Sequence, residues 1–142
     1  MLSDEAAFTL ASSRLKHAKR CLLSAERELA VDTFDAYETA ANRSYYCVFH
    51  AMRAVLALEK FESKKHSGII ARFRQNYIKT GIFSSEFSDI VGKAFIARND
   101  SDYGDMYTIT KEDVVTQLED AKMFLTAVEE YVIPKLPAQT DK

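Results

Sequence analysis

Residues 32–59 carry the clearest structural signal in the chain and read DTFDAYETAANRSYYCVFHAMRAVLALE. Apolar side chains recur in this stretch at steps of three and four residues, at Tyr37, Ala41, Tyr45, Val48, Met52 and Val55. Because an α-helix turns once in about 3.6 residues, this spacing places them on one face. We expect Asp32 to cap the helix and the pattern to end near Glu59. The stretch predicts a long amphipathic helix, the second in the chain.

The same period continues toward the N-terminus, over residues from about Asp4 to Leu29. Its apolar stripe consists of Leu15, Ala18, Leu22, Ala25 and Leu29. Arg14 is among the basic residues on the other faces, where contact with solvent is expected. These residues predict a first long amphipathic helix.

Three further helices are predicted after the second one. A shorter helix begins near His66, and a fourth begins at Ser84 and carries Arg98 at the end of its apolar face. The sequence Thr110–Asp113 resembles a capping box with Asp in the place of the usual Glu or Gln, and the last helix follows it until Pro134. Five helices joined by short connections predict an all-α antiparallel bundle.

The composition indicates a single folded domain rather than a disordered or disulfide-stabilised chain. The 142 residues are 47% hydrophobic and 28% charged, with only 4 Gly and 2 Pro. A chain of this length buries enough surface to form a core of its own. We therefore expect one domain over residues 1–142, which ends in a short polar tail at residues 134–142.

Missing signals exclude several classes of protein. No stretch is long and apolar enough to cross a bilayer, and residues 1–5 do not resemble a signal peptide, so we expect a cytoplasmic protein without membrane contact. Cys21 and Cys47 lie in apolar helical runs and are expected to be reduced, packed thiols. Gly-rich phosphate loops and zinc-protease motifs are absent, and no histidine follows a Glu at the spacing of di-iron bundles. No metal and no cofactor are expected.

Charge is unevenly distributed along the chain, although the formal net charge is only -2. Between residues 60 and 79, Glu62 is the only acidic residue among the basic residues Lys60, Lys64, Lys65, Arg72, Arg74 and Lys79. Between residues 100 and 113, acidic residues dominate and Lys111 is the only base. Opposed patches of this kind do not indicate nonspecific binding of duplex DNA. The basic segment fits a phosphate backbone, an acidic partner or simple solvation.

The first candidate site lies on the second helix. Four polar residues follow one another at steps of three, four and three: Arg43, Tyr46, His50 and Arg53. Such steps place them on one face, beside the apolar stripe. Two arginines with a histidine between them and a tyrosine hydroxyl nearby could bind a phosphate and transfer a proton. The alternative is that both arginines are solvated and His50 is an ordinary helix residue.

The second candidate site lies where the fourth helix runs into a polar connection, expected at residues 99–108. Arg98 and Asp102 are four residues apart, so an intrahelical ion pair would explain both if the helix continued that far, with Tyr103 as a packed cap. The functional interpretation is that the Arg98 guanidinium, at the end of an apolar face, meets an RNA phosphate or another subunit.

A third candidate site is the start of the third helix. Lys65 and His66 lie there, within the basic segment. Basic side chains and free backbone amides at a helix start favour the binding of anions. This position could therefore hold a phosphate group.

Three blocks of sequence, taken in order, resemble one known family. Residues 41–56 read ANRSYYCVFHAMRAVL, residues 65–68 read KHSG, and residues 97–103 read ARNDSDY. A long second helix that carries Arg-Ser-Tyr-Tyr and Phe-His is unusual in generic helical bundles. The order and spacing of the blocks are similar to those of the small stand-alone HEPN proteins, and the resemblance covers about residues 6–132.

The resemblance implies an all-helical bundle that forms a homodimer and acts with a minimal nucleotidyltransferase as a toxin and antitoxin pair. Active members of the family are metal-independent endoribonucleases, in which an Arg followed by a polar residue and a later His meet in a cleft at the dimer interface. Arg98 and Asn99 match the first half of that motif, and Tyr103 stands where the His is expected, with Asp102 beside it. By resemblance, Arg98, Asn99 and Tyr103 are candidate catalytic residues, and RNA or nucleotide phosphate would bind in the cleft.

The tyrosine at position 103 departs from the usual motif. A phenol with an ordinary pKa of about 10 is a poor general base near neutral pH, so RNA cleavage would require a depressed pKa of the Tyr103 phenol or a substitute proton carrier, such as His50 or His66. The alternative is a non-catalytic module that binds a protein partner through Tyr103 or a nucleotide near His66. The sequence also leaves open whether the partner modifies Tyr103 or Tyr107.

Overall fold

The computed structural model describes residues 2–103 and 109–138, and between residues 94 and 103 it describes the backbone and, of the side chains, only that of Phe95. Five α-helices lie in the described ranges: α1 (Asp4–Val31), α2 (Phe34–Leu58), α3 (His66–Phe73), α4 (Glu86–Tyr103) and α5 (Lys111–Val132). These ranges contain no β-strand, and none of their helices is long and apolar enough to cross a membrane. The predicted all-α bundle of about five helices is confirmed.

The turn between α1 and α2 consists of two residues. Asp32 adopts a left-handed conformation, with φ at 64°, and ends α1. Thr33 caps α2, because its side-chain oxygen accepts a hydrogen bond from the backbone N–H of Ala36 at 3.2 Å. The prediction that Asp32 caps α2 is wrong, because its carboxylate accepts a hydrogen bond from the Tyr37 hydroxyl at 2.6 Å and pairs with Lys111 at 2.9 Å.

α2 is the central helix of the bundle and contacts each of the other four helices. Its predicted apolar stripe is buried from Ala41 to Val55, with Val48 and Met52 among the most covered side chains, whereas Tyr37 is only partly buried. A second row is buried as well, at Cys47, Ala51 and Ala54, where small side chains allow close approach of a neighbouring helix. The partly exposed side of α2 is thereby reduced to a narrow surface.

α3 continues into a π-helical turn at Arg74–Ile78, and the chain then reverses at Gly81. Gly81 has a φ of 81°, a left-handed conformation that glycine adopts without strain. The reversal brings the ring of Phe83 within 5.3 Å of Phe73 and 6.5 Å of Phe124, measured between centroids. This aromatic group joins α3 to α5 in the core.

The end of α4 differs from the prediction. α4 continues to Tyr103, so the polar connection predicted at residues 99–108 is wrong for residues 99–103, and residues 104–108 lie outside the described ranges. Polar side chains alone do not stop a helix, and the first glycine or proline of this segment is Gly104. The capping box predicted at Thr110 and Asp113 is confirmed, with both of its hydrogen bonds present.

Candidate functional site

A group of rings lies where the buried side of α2 meets its partly exposed side, and we call it the histidine-aromatic cluster. Its members come from three helices: His17 from α1, Tyr45, Tyr46, Phe49 and His50 from α2, and His66 from α3. The α2 members occupy adjacent positions on two successive helical turns. All three histidines of the chain meet in this cluster, although they are far apart in the sequence.

A hydrogen bond and a ring stack are among the contacts that hold His66 against α2. Its Nδ1 shares a hydrogen bond of 2.7 Å with the hydroxyl of Tyr45, and its ring stacks on Phe49 with centroids 4.0 Å apart. Tyr45 is only 2% exposed, so the bond ties the imidazole to a rigid part of the core. The sequence predicts an anion site at Lys65 and His66, but the His66 ring packs against α2 while Lys65 is exposed.

His50 and His17 form the other half of the cluster. Their rings stack with centroids 3.9 Å apart and an interplanar angle of 19°. Burial, with smaller contributions from His17 and Arg53, lowers the pKa of His50 to about 4. His50 is therefore neutral at pH 7, with a lone pair on one ring nitrogen. Its buried Nδ1 has no hydrogen-bond partner within the described part of the chain.

Two arginines border the cluster and share one carboxylate. Arg14 is only 7% exposed, and it donates to Oε1 of Glu62 at 2.7 Å and to the backbone oxygen of Arg53 at 3.1 Å. Arg53 donates to the other oxygen of Glu62 at 3.4 Å, and its guanidinium lies 5.7 Å from the centre of the Phe49 ring. Burial lowers the pKa of Arg14, while the hydrogen bond to Glu62 raises it, and the group stays charged. One carboxylate between two guanidiniums leaves a local excess of positive charge.

The burial of Arg14 was not predicted. The sequence pattern places Arg14 on a solvent face of α1, which is wrong because the buried face of α1 is broader than its stripe and includes Ala11 and Arg14. A usable signal was Glu62, the only acid in a basic segment and hence a natural ion-pair partner. Which base it would pair with depends on how α1 packs, and periodicity within one helix does not specify that.

The structure brings together three of the four residues of the first predicted site. The Tyr46 and His50 rings lie 5.9 Å apart between centroids, and Arg53 lies one turn further along α2 beside Phe49. All three side chains are partly exposed, as a binding surface requires. Arg43 is exposed and lies close to Cys21: burial raises the pKa of the Cys21 thiol, and Arg43 partly opposes this rise.

Two of the histidines also approach a cysteine. A ring nitrogen of His17, a ring nitrogen of His50 and the sulfur of Cys21 all lie within 4.8 Å of one another. The sequence predicts no metal site, although His17 and Cys21 are four residues apart and hence share a helical face. His50 joins this group only through the packing of α2 on α1.

The second predicted site lies at the end of α4. Arg98, Asn99, Asp102 and Tyr103 belong to the last turns of this helix, and α4 contacts α2. Their side chains lie outside the described part of the structure, as does all of Tyr107. The helical backbone separates Arg98 from Asp102 by about one turn. The roles of these residues stay predictions.

A surface cavity of about 550 Å³ lies between α1 and the chain that follows α5. Its lining includes Leu15, Lys16, Ile133 and Pro137. The lining contains neither the rings of the histidine-aromatic cluster nor the two arginines that border it, so these groups lie elsewhere on the surface.

The sequence has recognisable relatives. The family model described as the HEPN domain matches residues 11–131, a range that includes every member of the histidine-aromatic cluster. A Thermotoga maritima protein named "UPF0332 protein" is 30% identical over 117 residues, which cover 82% of this chain and 86% of the relative. "Putative toxin MJ0142" of Methanocaldococcus jannaschii is 31% identical over 99 residues, which cover 70% of this chain and 67% of the relative. A "UPF0332 protein" of Archaeoglobus fulgidus is 29% identical over 112 residues, or 79% and 86% of the two chains.

Proposed function

The chain belongs to the HEPN family, and from this membership we propose that it is a toxin-like protein that binds RNA or nucleotide phosphate. The proposal includes the arrangement that the family resemblance implies. In that arrangement two copies form a cleft with Arg98, Asn99, Asp102 and Tyr103, and a minimal nucleotidyltransferase acts as the partner. A relative with the word toxin in its name supports the toxin-like part of the proposal.

The observation that carries the proposal is the histidine-aromatic cluster together with Arg53. Single-stranded RNA is bound by the stacking of its bases on aromatic rings and by cations at its phosphates. Tyr46 and His50 offer partly exposed rings, and the Arg53 guanidinium stands beside them with only a share of the Glu62 carboxylate. An aromatic surface and a cation, the two groups that a nucleotide needs, are thus neighbours.

RNA cleavage is a separate step. Cleavage without a metal needs a base near the ribose 2′-hydroxyl and a cation at the phosphate. His50 is neutral and can accept a proton, but a pKa of about 4 makes it a weak base near pH 7. Tyr103, which stands in the place of the family histidine, also argues against cleavage, because a phenol is a poor general base near neutral pH. We therefore propose RNA binding without cleavage as the activity. The second candidate function is a non-catalytic module that binds a protein partner or a nucleotide.

The proposal also includes a homodimer, a complex with the nucleotidyltransferase and a cytoplasmic location. Because the family motif is shared between subunits, light scattering of the purified protein should give twice the mass of one chain, and a lone monomer would remove the shared cleft. Co-expression with the neighbouring nucleotidyltransferase, if its reading frame is present, should yield a complex that purifies together. Cys21 and Cys47 are free and buried, which fits the reducing cytoplasm.

The test of binding uses a fluorescein-labelled single-stranded RNA of mixed sequence and its fluorescence anisotropy. Arg53→Gln should weaken binding about tenfold, because a charge-assisted hydrogen bond contributes roughly 1.5 kcal/mol. Arg27→Gln is the matched control, since Arg27 is an exposed arginine of α1 outside the cluster. Equal affinities for the two variants would contradict the proposed surface. Circular dichroism confirms that both variants are folded.

The test of cleavage follows the same RNA on a denaturing gel in the presence of EDTA. A nuclease should shorten the RNA, and Arg98→Ala should stop it while leaving the far-UV spectrum unchanged. Intact RNA with the wild-type protein, combined with saturable binding, supports RNA binding without cleavage. Neither binding nor cleavage of the RNA favours the protein-interaction module.

A further inference from the structure

Three metal-ligating side chains meet where α1 packs on α2. The ligand atoms of His17, Cys21 and His50 all lie within 4.8 Å of one another. We propose that these residues bind one divalent ion of the zinc class, with a fourth coordination position left to water or another small ligand. The proposal stands independently of RNA binding, because it rests on the geometry of these three residues.

The donor set selects the class of metal. Two imidazole nitrogens and one thiolate sulfur suit Zn²⁺ and its spectroscopic substitute Co²⁺, whereas Mg²⁺ and Ca²⁺ require oxygen ligands. The Cys21 thiol releases its proton to solvent when its sulfur coordinates the ion, because the thiolate is the form that binds metal. The group of three contains no carboxylate. Three protein ligands are also the number found at zinc sites that keep an open position.

Helix geometry already aligns two of the ligands. His17 and Cys21 are four residues apart on α1, so their side chains project from one face about a turn apart. Cys21 is 3% exposed, and His17 is exposed. The pair therefore reaches from the contact between the helices to the solvent, and an ion can enter from the side of His17.

His50 completes the group from α2. Its Nδ1 is buried and has no hydrogen-bond partner in the described ranges, a state that proteins rarely leave uncompensated. Coordination through that nitrogen would supply the missing partner. The ring already stacks on His17 with centroids 3.9 Å apart, so the two imidazoles are neighbours before any ion binds.

The ligands need a small inward movement to close on an ion. Around a tetrahedral zinc, two nitrogen ligands are about 3.3 Å apart, and a nitrogen and a sulfur are about 3.6 Å apart. Separations of up to 4.8 Å must therefore shrink by up to about 1.2 Å for a nitrogen and a sulfur and up to about 1.5 Å for the two nitrogens. His17 is exposed and can rotate out of the stack to direct its lone pair at the ion, while Cys21 and His50 move little.

Neighbouring positive charge limits the affinity. The charges of Arg14 and Arg53 reach His50 and lower its pKa, and the charge of Arg43 reaches Cys21 and opposes the rise in the pKa of its thiol. Glu62 offsets part of the charge of the first two arginines. Because a divalent cation is repelled by these guanidiniums, we expect weaker binding than at the closed four-ligand sites of structural zinc domains.

The test is a titration of the full chain with Co²⁺ and then Zn²⁺, under reducing conditions and without an oligohistidine tag. One Co²⁺ per chain should bind, with the visible bands of tetrahedral cobalt and a near-ultraviolet charge-transfer band from thiolate to cobalt, and Zn²⁺ should displace it. His17→Gln should weaken Co²⁺ binding at least about tenfold, since even the loss of an outer-shell partner costs that much. Cys21→Ser should abolish the charge-transfer band.

Two control variants match these changes. Cys47→Ser removes the other buried thiol, and His66→Gln removes the histidine outside the group, so both should bind Co²⁺ like the wild-type protein. The proposal is overturned if the wild-type protein shows no saturable Co²⁺ binding, if the charge-transfer band is missing, or if His17→Gln binds as tightly as the wild type. His17 is exposed, so the His17→Gln variant is expected to fold, and circular dichroism checks this. If the protein fails to bind RNA, the outcome of this Co²⁺ titration still decides the metal proposal by itself.

Discussion

Both sides of α2 carry large side chains, but the two sides differ in how far these side chains are buried. Val48 and Met52 face the bundle interior and are almost completely buried. Tyr46, His50 and Arg53 remain partly exposed and are contacted by residues outside α2, among them His17, which stacks on His50. One helix thus supplies both the centre of the core and the surface that we propose for RNA. Neighbouring elements contact both sides of α2, so the remaining exposure of Tyr46, His50 and Arg53 is what distinguishes the site from the core.

The largest effect is expected on the core side of α2. Met52→Ala removes a completely buried side chain and leaves a cavity, which should lower the free energy of unfolding by about 2–5 kcal/mol. Tyr46→Ala, on the other side, should cost less, because Tyr46 is partly exposed and buries less of its surface; of this cost, each lost aromatic pair contributes about 0.5–1.5 kcal/mol. Urea denaturation measures both values, provided that the slope of the free energy of unfolding against urea concentration is the same for the variants and the wild type. Equal costs would show that Tyr46 belongs to the core.

A smaller effect is expected at the edge of the cluster. Glu62→Gln leaves the Arg14 guanidinium without its charged partner and should lower the free energy of unfolding by about 1–2 kcal/mol. The expected cost is modest because the Glu62 side chain is half exposed. Glu26→Gln, which changes an exposed acid on α1, is the control in the same urea experiment. If both variants have the same stability, the Arg14 pair contributes nothing.

The smallest effect concerns pH and the end of α2. Burial alone would raise the pKa of Glu59, but hydrogen bonds from Arg72 at 2.7 Å, Tyr77 at 2.8 Å and Asn76 at 3.3 Å outweigh it and lower the pKa. A carboxyl whose pKa is lower in the folded state stabilises the fold above its unfolded value, near 4.5, and this contribution disappears as the pH falls through the folded pKa.

Glu59→Gln checks this sign. The variant should be less stable than the wild type at pH 7, and the gap should narrow as the pH falls from about 5 toward 3, because only the wild type has this carboxylate to protonate. Thermal unfolding at a series of pH values measures the gap. A gap of constant size would mean that the three hydrogen bonds to Glu59 do not depend on its charge.

The helices could be predicted because their signals are local. α1 begins at Asp4 as predicted and ends two residues beyond Leu29, and α5 begins at the predicted capping box of Thr110 and Asp113. One exception is the cap of α2, which is Thr33 and not Asp32. Another is the end of α4, where a polar sequence suggested a connection but contains no residue that breaks a helix before Gly104.

The candidate site could be predicted only in part. The spacing of Tyr46, His50 and Arg53 is a property of one helix and was visible in the sequence. The stack of His17 on His50 and the burial of Arg14 depend on the packing of α1 against α2. No pattern within a single helix reports which side chains face each other across such a contact.

The central claim is that the histidine-aromatic cluster binds RNA. Its most direct test is a titration of isotopically labelled protein with single-stranded RNA, followed by NMR of the histidine ring nitrogens and the backbone amides. The account predicts that the signals of Tyr46, His50 and His66 shift along one saturation curve, while the exposed amides of Lys122 and Thr126 on α5 stay unchanged. Saturable shifts confined to α5, or no saturable shift at the cluster, would contradict it.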